Sequence, residues 1–418
     1  MLSLFKKNSI KKYCILLFTI TITNVYPQEI QNNYSIRLNP NLSNQWWSKY
    51  NNYGQKNTKI KLNYRGNYEA EIIDYSFAIS VLKDKFYIGE SFLKFRLSDE
   101  TYLKVGRYYR DFSSYLNDNL SSGSMLISNN AEPMPKIGLL SSYKFKKNKK
   151  IDLSFGISHA VFEKDKFYNS PPMLHEKFIY LNYANKNNKF SFGFVHEAMW
   201  GGNTDQYGTF PNSFKDFLKV FISADGPWLE GEPHANALGN HLGIWDFYYE
   251  KKIDYKILKV YYQHFFEDTS GLRFTNRIDG LWGLELENYI PKTNLLIEYL
   301  STTDQDRTRH NDAYYNHYQY NLGWSYKGYT LGNPFIKHLT VEPIRVLHLA
   351  INNESDSTYY YQLRLARKIN ISDKLKYVLT INKRLDQKNK SNISNINVYI
   401  LNNENMGHEI GFGISRQF

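Results

Sequence analysis

Ile151-Asp-Leu-Ser-Phe-Gly-Ile-Ser158 sets the rhythm of this chain. Ile151, Leu153, Phe155 and Ile157 alternate with Asp152, Ser154, Gly156 and Ser158. A period of two belongs to a strand with one apolar face and one polar or small face. The pattern recurs on both sides of this stretch. Leu93, Phe95 and Leu97 alternate with Lys94 and Arg96, and Phe190, Phe192 and Phe194 with Ser191 and Gly193. Tyr359, Tyr361, Leu363 and Leu365 alternate with Gln362 and Arg364, and Tyr377, Leu379 and Ile381 with Thr380 and Asn382. Turn clusters such as Lys-Asn-Lys-Lys at 147–150 and Lys-Asn-Asn-Lys at 186–189 separate the segments.

Such strands suit a soluble sandwich with the apolar face inward. They equally suit an outer-membrane barrel, with that face to lipid and the polar face around a wet lumen. Three features favour an all-β, transmembrane antiparallel barrel. The 36 Tyr, 26 Phe and 7 Trp can supply aromatic girdles at two interfaces. At roughly 20 residues per strand and turn, the length allows about 18–20 strands, and about 18 is expected. Ile410, Phe412 and Ile414 alternate with Gly411, Gly413 and Ser415, and Phe418 is last. An aromatic ending on an alternating strand resembles the recognition signal of bacterial outer-membrane barrels, although Arg416 departs from its all-apolar version. A mean hydropathy of −0.55 over 418 residues excludes a helical membrane protein, and aromatic content of 17 % excludes disorder.

Residues 1–27 read as a secretory signal. Lys6, Lys7, Lys11 and Lys12 precede a ten-residue apolar stretch, Tyr13 to Ile22. A spanning helix needs about 20 residues, so a removed leader fits better, with cleavage expected near Val25–Gln28. Cys14 lies inside this leader, so the mature chain would hold no disulfide, thiolate ligand or cysteine nucleophile. The whole chain carries 52 basic and 40 acidic side chains; without the four leader lysines the balance is 48 against 40, or +8. Interspersed charge of this sign suits an acidic polymer or lipid phosphates, and no basic stripe points to nucleic acid.

Residues 28–418 read as one barrel domain with two interruptions. Residues 111–135 are polar, small and turn-rich, ending Glu-Pro-Met-Pro, which cannot sit mid-sheet. Residues 203–239 contain a helix signal: Ser213 with Asp216 forms a capping box, and Phe214, Phe217, Leu218, Phe221 and Ile222 form one apolar stripe. Lys215 and Lys219 beside that stripe suit a membrane interface. Plugging the lumen is the preferred role, because large barrels otherwise leave a channel open. Short helical elements are therefore expected to plug or cap the lumen.

Three segments carry chemistry. His196-Glu197-Ala198-Met199-Trp200-Gly201-Gly202 pairs a tryptophan with two turn-permitting glycines. An accessible indole stacks on the C–H face of a sugar while its N–H donates; a girdle or lumen-filling role fits Trp200 equally. His234, His241 and His196 could bind zinc, but their intervals match no metal motif, and no metal or cofactor is expected. Asp304, Asp306 and Asp312 lack a calcium-loop glycine. Tyr314-Tyr315-Asn316-His317-Tyr318 through Trp324 suits an interface belt or a carbohydrate surface. Gly-x-Ser-x-Gly, a paired-carboxylate signature and a phosphate loop are all missing, so no enzyme is expected.

The order of these motifs resembles the Wzi family of capsule-assembly outer-membrane proteins, most of all the branch found in Bacteroidetes-type bacteria. The resemblance rests on His196…Trp200-Gly201-Gly202, the Pro211–Phe221 helix, Gly239-Asn240-His241-Leu242-Gly243, Tyr314-Tyr315-Asn316 through Gly323-Trp324-Ser325-Tyr326-Lys327-Gly328, and Leu331-Gly332-Asn333-Pro334. It implies an 18-stranded barrel with helical elements closing the lumen. It further implies lectin-like holding of capsular polysaccharide or exopolysaccharide at the surface of a Gram-negative outer membrane. Outer-membrane lipids and other capsule-export proteins are the further partners. The rapid entry into strand-like sequence departs from a family member with a separate N-terminal helical bundle. Chemistry and exposure, not the family, nominate the ligand-binding residues: Trp200, His196, Asp205, His241, Tyr314, Tyr315, Asn316, Tyr318 and Trp324. A diffusion porin for small solutes and an outer-membrane lipid or glycan hydrolase are the alternatives.

Overall fold

The computed structural model describes residues 29–38, 53–55, 60–82, 85–165, 167–227, 236–267, 269–304, 314–353, 358–384, 393–403 and 407–417. The expected leader at 1–27, His234, Asp306, Asp312 and Phe418 lie outside the described residues. The strands in chain order are β1 (Glu29–Leu38), β2 (Ile60–Glu69), β3 (Ile73–Leu82), β4 (Lys85–Ile88), β5 (Ser91–Ser98), β6 (Thr101–Tyr108), β7 (Met134–Lys144) and β8 (Ile151–Val161). They continue with β9 (Met173–Ala184), β10 (Asn188–Trp200), β11 (Asn203–Thr204), β12 (Gly208–Thr209), β13 (Asn240–Ile253), β14 (Lys256–Phe266), β15 (Gly280–Ile290) and β16 (Thr293–Ser301). The last are β17 (Ser325–Tyr326), β18 (Tyr329–Thr330), β19 (Arg345–Asn353), β20 (Tyr359–Lys368), β21 (Lys376–Arg384), β22 (Ile393–Asn403) and β23 (Gly407–Gln417).

All but the four two-residue strands form one 19-stranded antiparallel sheet. β1 pairs with β2 on one side and with β23 on the other, so the sheet closes on itself. β4 and β5 both pair with β3, as two halves of one interrupted strand. Counted so, 18 strands ring the barrel among the described residues, as the length predicts.

The period-two pattern decides which face is which. Ile179, Leu181, Phe190, Phe192, Val260 and Trp282 are exposed apolar side chains on the outer wall. The alternate positions on these strands carry Glu176, Glu197, Gln263 and Glu285, all buried. Apolar residues outside and polar residues inside mark a lipid-facing barrel. Connections alternate in length as well. Residues 109–133, 162–172, 201–239, 267–279 and 302–344 leave from one end; residues 99–100, 145–150, 185–187, 254–255 and 291–292 turn at the other. Long loops lie outside the cell and short turns in the periplasm in barrels of this kind, which orients the molecule.

The lumen is blocked, though not by the expected segment, and a cavity of 740 Å³ lined by Tyr102, Asp152, Asn182 and Glu250 remains toward the short-turn end. Two irregular stretches, 109–133 and 314–344, fold inward and bury Phe112, Leu120, Met125, Leu126, Tyr315 and Trp324 in one core with the wall. Six adjoining strands each hold the first stretch with one polar side chain. Asp246 of β13 accepts from Ser113 Oγ at 2.5 Å and from the Tyr115 hydroxyl. Gln263 of β14 accepts from the Met125 amide at 2.9 Å, and Glu285 of β15 from Asn117 at 2.8 Å. Glu298 of β16 accepts from Ser121 Oγ and the Ser122 amide, both at 2.6 Å. His348 of β19 donates to the Leu120 carbonyl at 2.7 Å, and Gln362 of β20 to that of Asn119. Buried polar groups on the wall thus find partners on the plug, as a low-dielectric interior demands.

Strand glycines make room for this. Gly193 and Gly283 sit opposite Tyr180 and Tyr261. A Cβ there would lie 2.2 Å and 2.0 Å from those rings. Each ring lies flat across its glycine and directs its hydroxyl to the plug-binding carboxylates, Tyr180 to Asp246 at 2.6 Å and Tyr261 to Glu298.

The helix α1 (Phe214–Phe221) forms as its sequence predicts, capped by Ser213 and Asp216 in a reciprocal capping box. Its place corrects the lumen-plug expectation for this element. Phe217 packs on His159, His175 and Trp200, ring centroids 5.1, 5.3 and 5.5 Å apart. Those three share the outward parity of Val161, Ile179 and Phe192. The helix therefore lies on the outer wall of β8–β10, because its aromatic stripe matches an aromatic and imidazole surface there rather than the carboxylate-lined lumen.

Candidate functional site: an extracellular aromatic groove

Trp200 ends β10 at the outer end of the barrel, and Gly201 and Gly202 carry the chain away at φ +64° and +94°. Positive φ at two successive residues is where glycine is needed. The indole is buried against Ala198, Val220 and Leu238. Its Nε1 has no hydrogen-bond partner. A groove of 100 Å³ opens beside it, lined by Phe210, Pro211, Asn236, Leu238, Tyr318 and Gln319, with Tyr320 at its base. Tyr318 is 48 % exposed and Asn236 is exposed, so a ligand can reach both.

Tyr318 is presented by its neighbour. The His317 imidazole stacks beneath it at 4.8 Å and 23°. His317 Nδ1 accepts from the amides of Gln319 at 3.2 Å and Tyr320 at 3.4 Å. Burial, with a smaller push from His241, lowers the His317 pKa to about 4. The ring is neutral at neutral pH and free to accept.

The other predicted residues go elsewhere. Tyr314 gives its hydroxyl to Asp279 at 2.6 Å inside the plug. The Tyr315 hydroxyl donates to the Met125 carbonyl, and Trp324 Nε1 donates to that of Leu126 at 2.8 Å. Both rings are fully enclosed and bind the two plug stretches together. Asn316 is partly buried, with an Nδ2 that has no partner. Asp205 is exposed on the β11–β12 ribbon and accepts from Asn169 at 2.7 Å, tying two outer loops. His196 and His241 meet beneath α1, His196 Nε2 lying 2.9 Å from His241 Nδ1. His241 Nε2 donates to the Leu238 carbonyl at 3.0 Å, which leaves its Nδ1 as acceptor. Of the predicted set, then, only Trp200 and Tyr318 line one groove. Phe210, Pro211, Asn236, Gln319 and Tyr320 complete it. Gln319 and Tyr320 continue the tyrosine run and Pro211 flanks the helix signal, so proximity to those motifs was the available signal. Among the described residues no three His, Cys, Asp or Glu side chains converge as a metal requires.

A closed, plugged barrel with lipid-facing aromatics and a surface groove defines an outer-membrane β-barrel that is sealed rather than open. The sequence profile of the family described as "Capsule assembly protein Wzi" matches residues 25–388, and the chain belongs to that family. Among solved structures it is similar to Wzi of Escherichia coli, an outer-membrane protein involved in group 1 capsule assembly and described as a carbohydrate-binding β-barrel. That likeness has a TM-score of 0.59 at 15 % identity, over 97 % of this chain and 88 % of the other. Acinetobacter baumannii OccAB4 matches at TM-score 0.43 and 11 % identity, over 93 % and 95 % of the two chains. Pseudomonas aeruginosa OpdQ matches at 0.41 and 10 %, again over 93 % and 95 %. No curated protein matches in sequence.

Proposed function

We propose that this chain holds exported capsular polysaccharide or exopolysaccharide at the cell surface, by binding without catalysis. The carrying observation is the outer groove, where the exposed Tyr318 ring and the edge of the largely buried Trp200 indole flank Gln319 and Asn236. A flat apolar ring beside side-chain amides is what a pyranose ring takes. A single groove of this size holds about one sugar, so affinity for a long polymer comes from many weak contacts added by avidity. Membership in the capsule-assembly family and the carbohydrate binding described for the Escherichia coli protein support the reading. Outer-membrane lipids surround the barrel, and other capsule-export proteins are its candidate neighbours. The test is surface retention: cells lacking the gene should shed polysaccharide into the medium, and unchanged retention would overturn the proposal.

The porin alternative meets the blocked lumen. Two buried stretches cross it and six strands bind the first of them, so steady conductance is not what this interior supports.

A further inference from the structure

The outer helix has two apolar faces, and the barrel uses only one. Phe217, Val220 and Phe221 pack against the wall, and the Lys177 ammonium caps the helix by donating to the Phe221 carbonyl. Phe214, Leu218 and Ile222 point away, at 75 %, 49 % and 70 % exposure. At about 100° per residue these three span one arc of roughly 80°. Lys215 and Lys219 follow on the next arc, and Asp216 is occupied with the N-cap. Lys219 donates to the Asp225 carbonyl at 3.3 Å; Lys215 is exposed. The helix therefore carries, in order around its axis, a face bound to protein, a bare apolar face and a cationic face.

We propose that α1 is an interfacial membrane helix, with Phe214, Leu218 and Ile222 in the acyl region of the outer leaflet and Lys215 at the anionic headgroups. The occupant follows from continuity. The helix lies on the same wall, directly outward along the strands, as the exposed Phe155, Ile179 and Phe192 of the lipid-facing belt. Its lysines sit on the flank where phosphorylated headgroups would lie. The inference rests on the outer-membrane placement of the barrel and goes beyond it. It also explains the setting of the groove: Phe210 and Pro211 precede the helix and Asn236 to Gly239 follow it, so lipid contact would fix the groove mouth at the membrane surface.

The chain's single cysteine is Cys14, inside the expected leader, so engineered cysteines report alone. Phe214→Cys, Lys215→Cys, Leu218→Cys and Ile222→Cys would each be nitroxide-labelled in the full mature chain. The chain would be reconstituted in vesicles of phosphatidylethanolamine, phosphatidylglycerol and lipid A. Collision with oxygen, which favours lipid, is compared with collision with a water-soluble nickel chelate. Labels at 214, 218 and 222 should show an oxygen-to-nickel ratio severalfold above that at 215. Three labels as open to nickel as the one at 215 would overturn the proposal; labels shielded from both quenchers would overturn it in favour of a protein cover. Phe192→Cys serves as control. A lipid-like control with water-like helix labels fails the helix alone, whereas a water-like control fails the membrane barrel itself.

Discussion

Trp200 and Tyr315 look alike in the sequence: aromatic residues beside small or polar neighbours. One lines an outer groove, and the other is enclosed with its hydroxyl on the Met125 carbonyl. Nothing local separates them, because the difference is made by residues 125 and 333, far away in sequence. What the sequence did show is that Trp200 ends a strand before two glycines, which is where a wall gives way to a loop. Replacing Trp200 or Tyr318 by alanine should weaken oligosaccharide binding about tenfold each, or ~1.4 kcal/mol. Titration of purified protein with capsule fragments measures it. The equally aromatic Tyr314→Phe should leave that affinity unchanged and act on the plug instead.

At the scale of elements, the strands were legible because burial imposes a period of two on both faces. The helix was legible through its cap and stripe, but its location was not. A stripe from Phe214 to Ile222 is wide enough to face two surroundings at once, and periodicity does not say which. Ser213→Ala removes a cap worth about 1 kcal/mol. Amide exchange across 214–222 should quicken about fivefold, with the barrel strands unaffected. The 317–320 turn offers a second check. His317 binds no proton in the fold until pH approaches 4 but binds one near 6.5 when the turn opens. Its contribution is therefore complete above about 6.5 and is lost as pH falls toward 4. Glycan affinity should fall across that window. His317→Gln should flatten the profile, since an amide does not titrate there.

The whole molecule was legible as a closed barrel of about 18 strands, since alternation, aromatics and length all point there together. The sealed interior was only half legible: the irregular stretch at 111–135 was visible, but its docking to six strands is a property of the closed ring. In planar bilayers the intact protein should be electrically silent. Asp246→Ala combined with Glu298→Ala takes the acceptors away from the Tyr115 and Tyr261 hydroxyls and the Ser122 amide. Each such buried orphan costs about 1–3 kcal/mol, so the plug should loosen and discrete openings should appear. Continued silence in that variant would show that the carboxylates are not what holds the plug.

The pairing of β23 with β1 carries a consequence for biogenesis. Six residues of each strand form that seam, which joins the first and last of the described strands. A premature stop anywhere before the final strand would strand two raw edges in hydrocarbon, where unpaired amides are intolerable. Loss of the last strand therefore removes the partner that closes β1 into the ring.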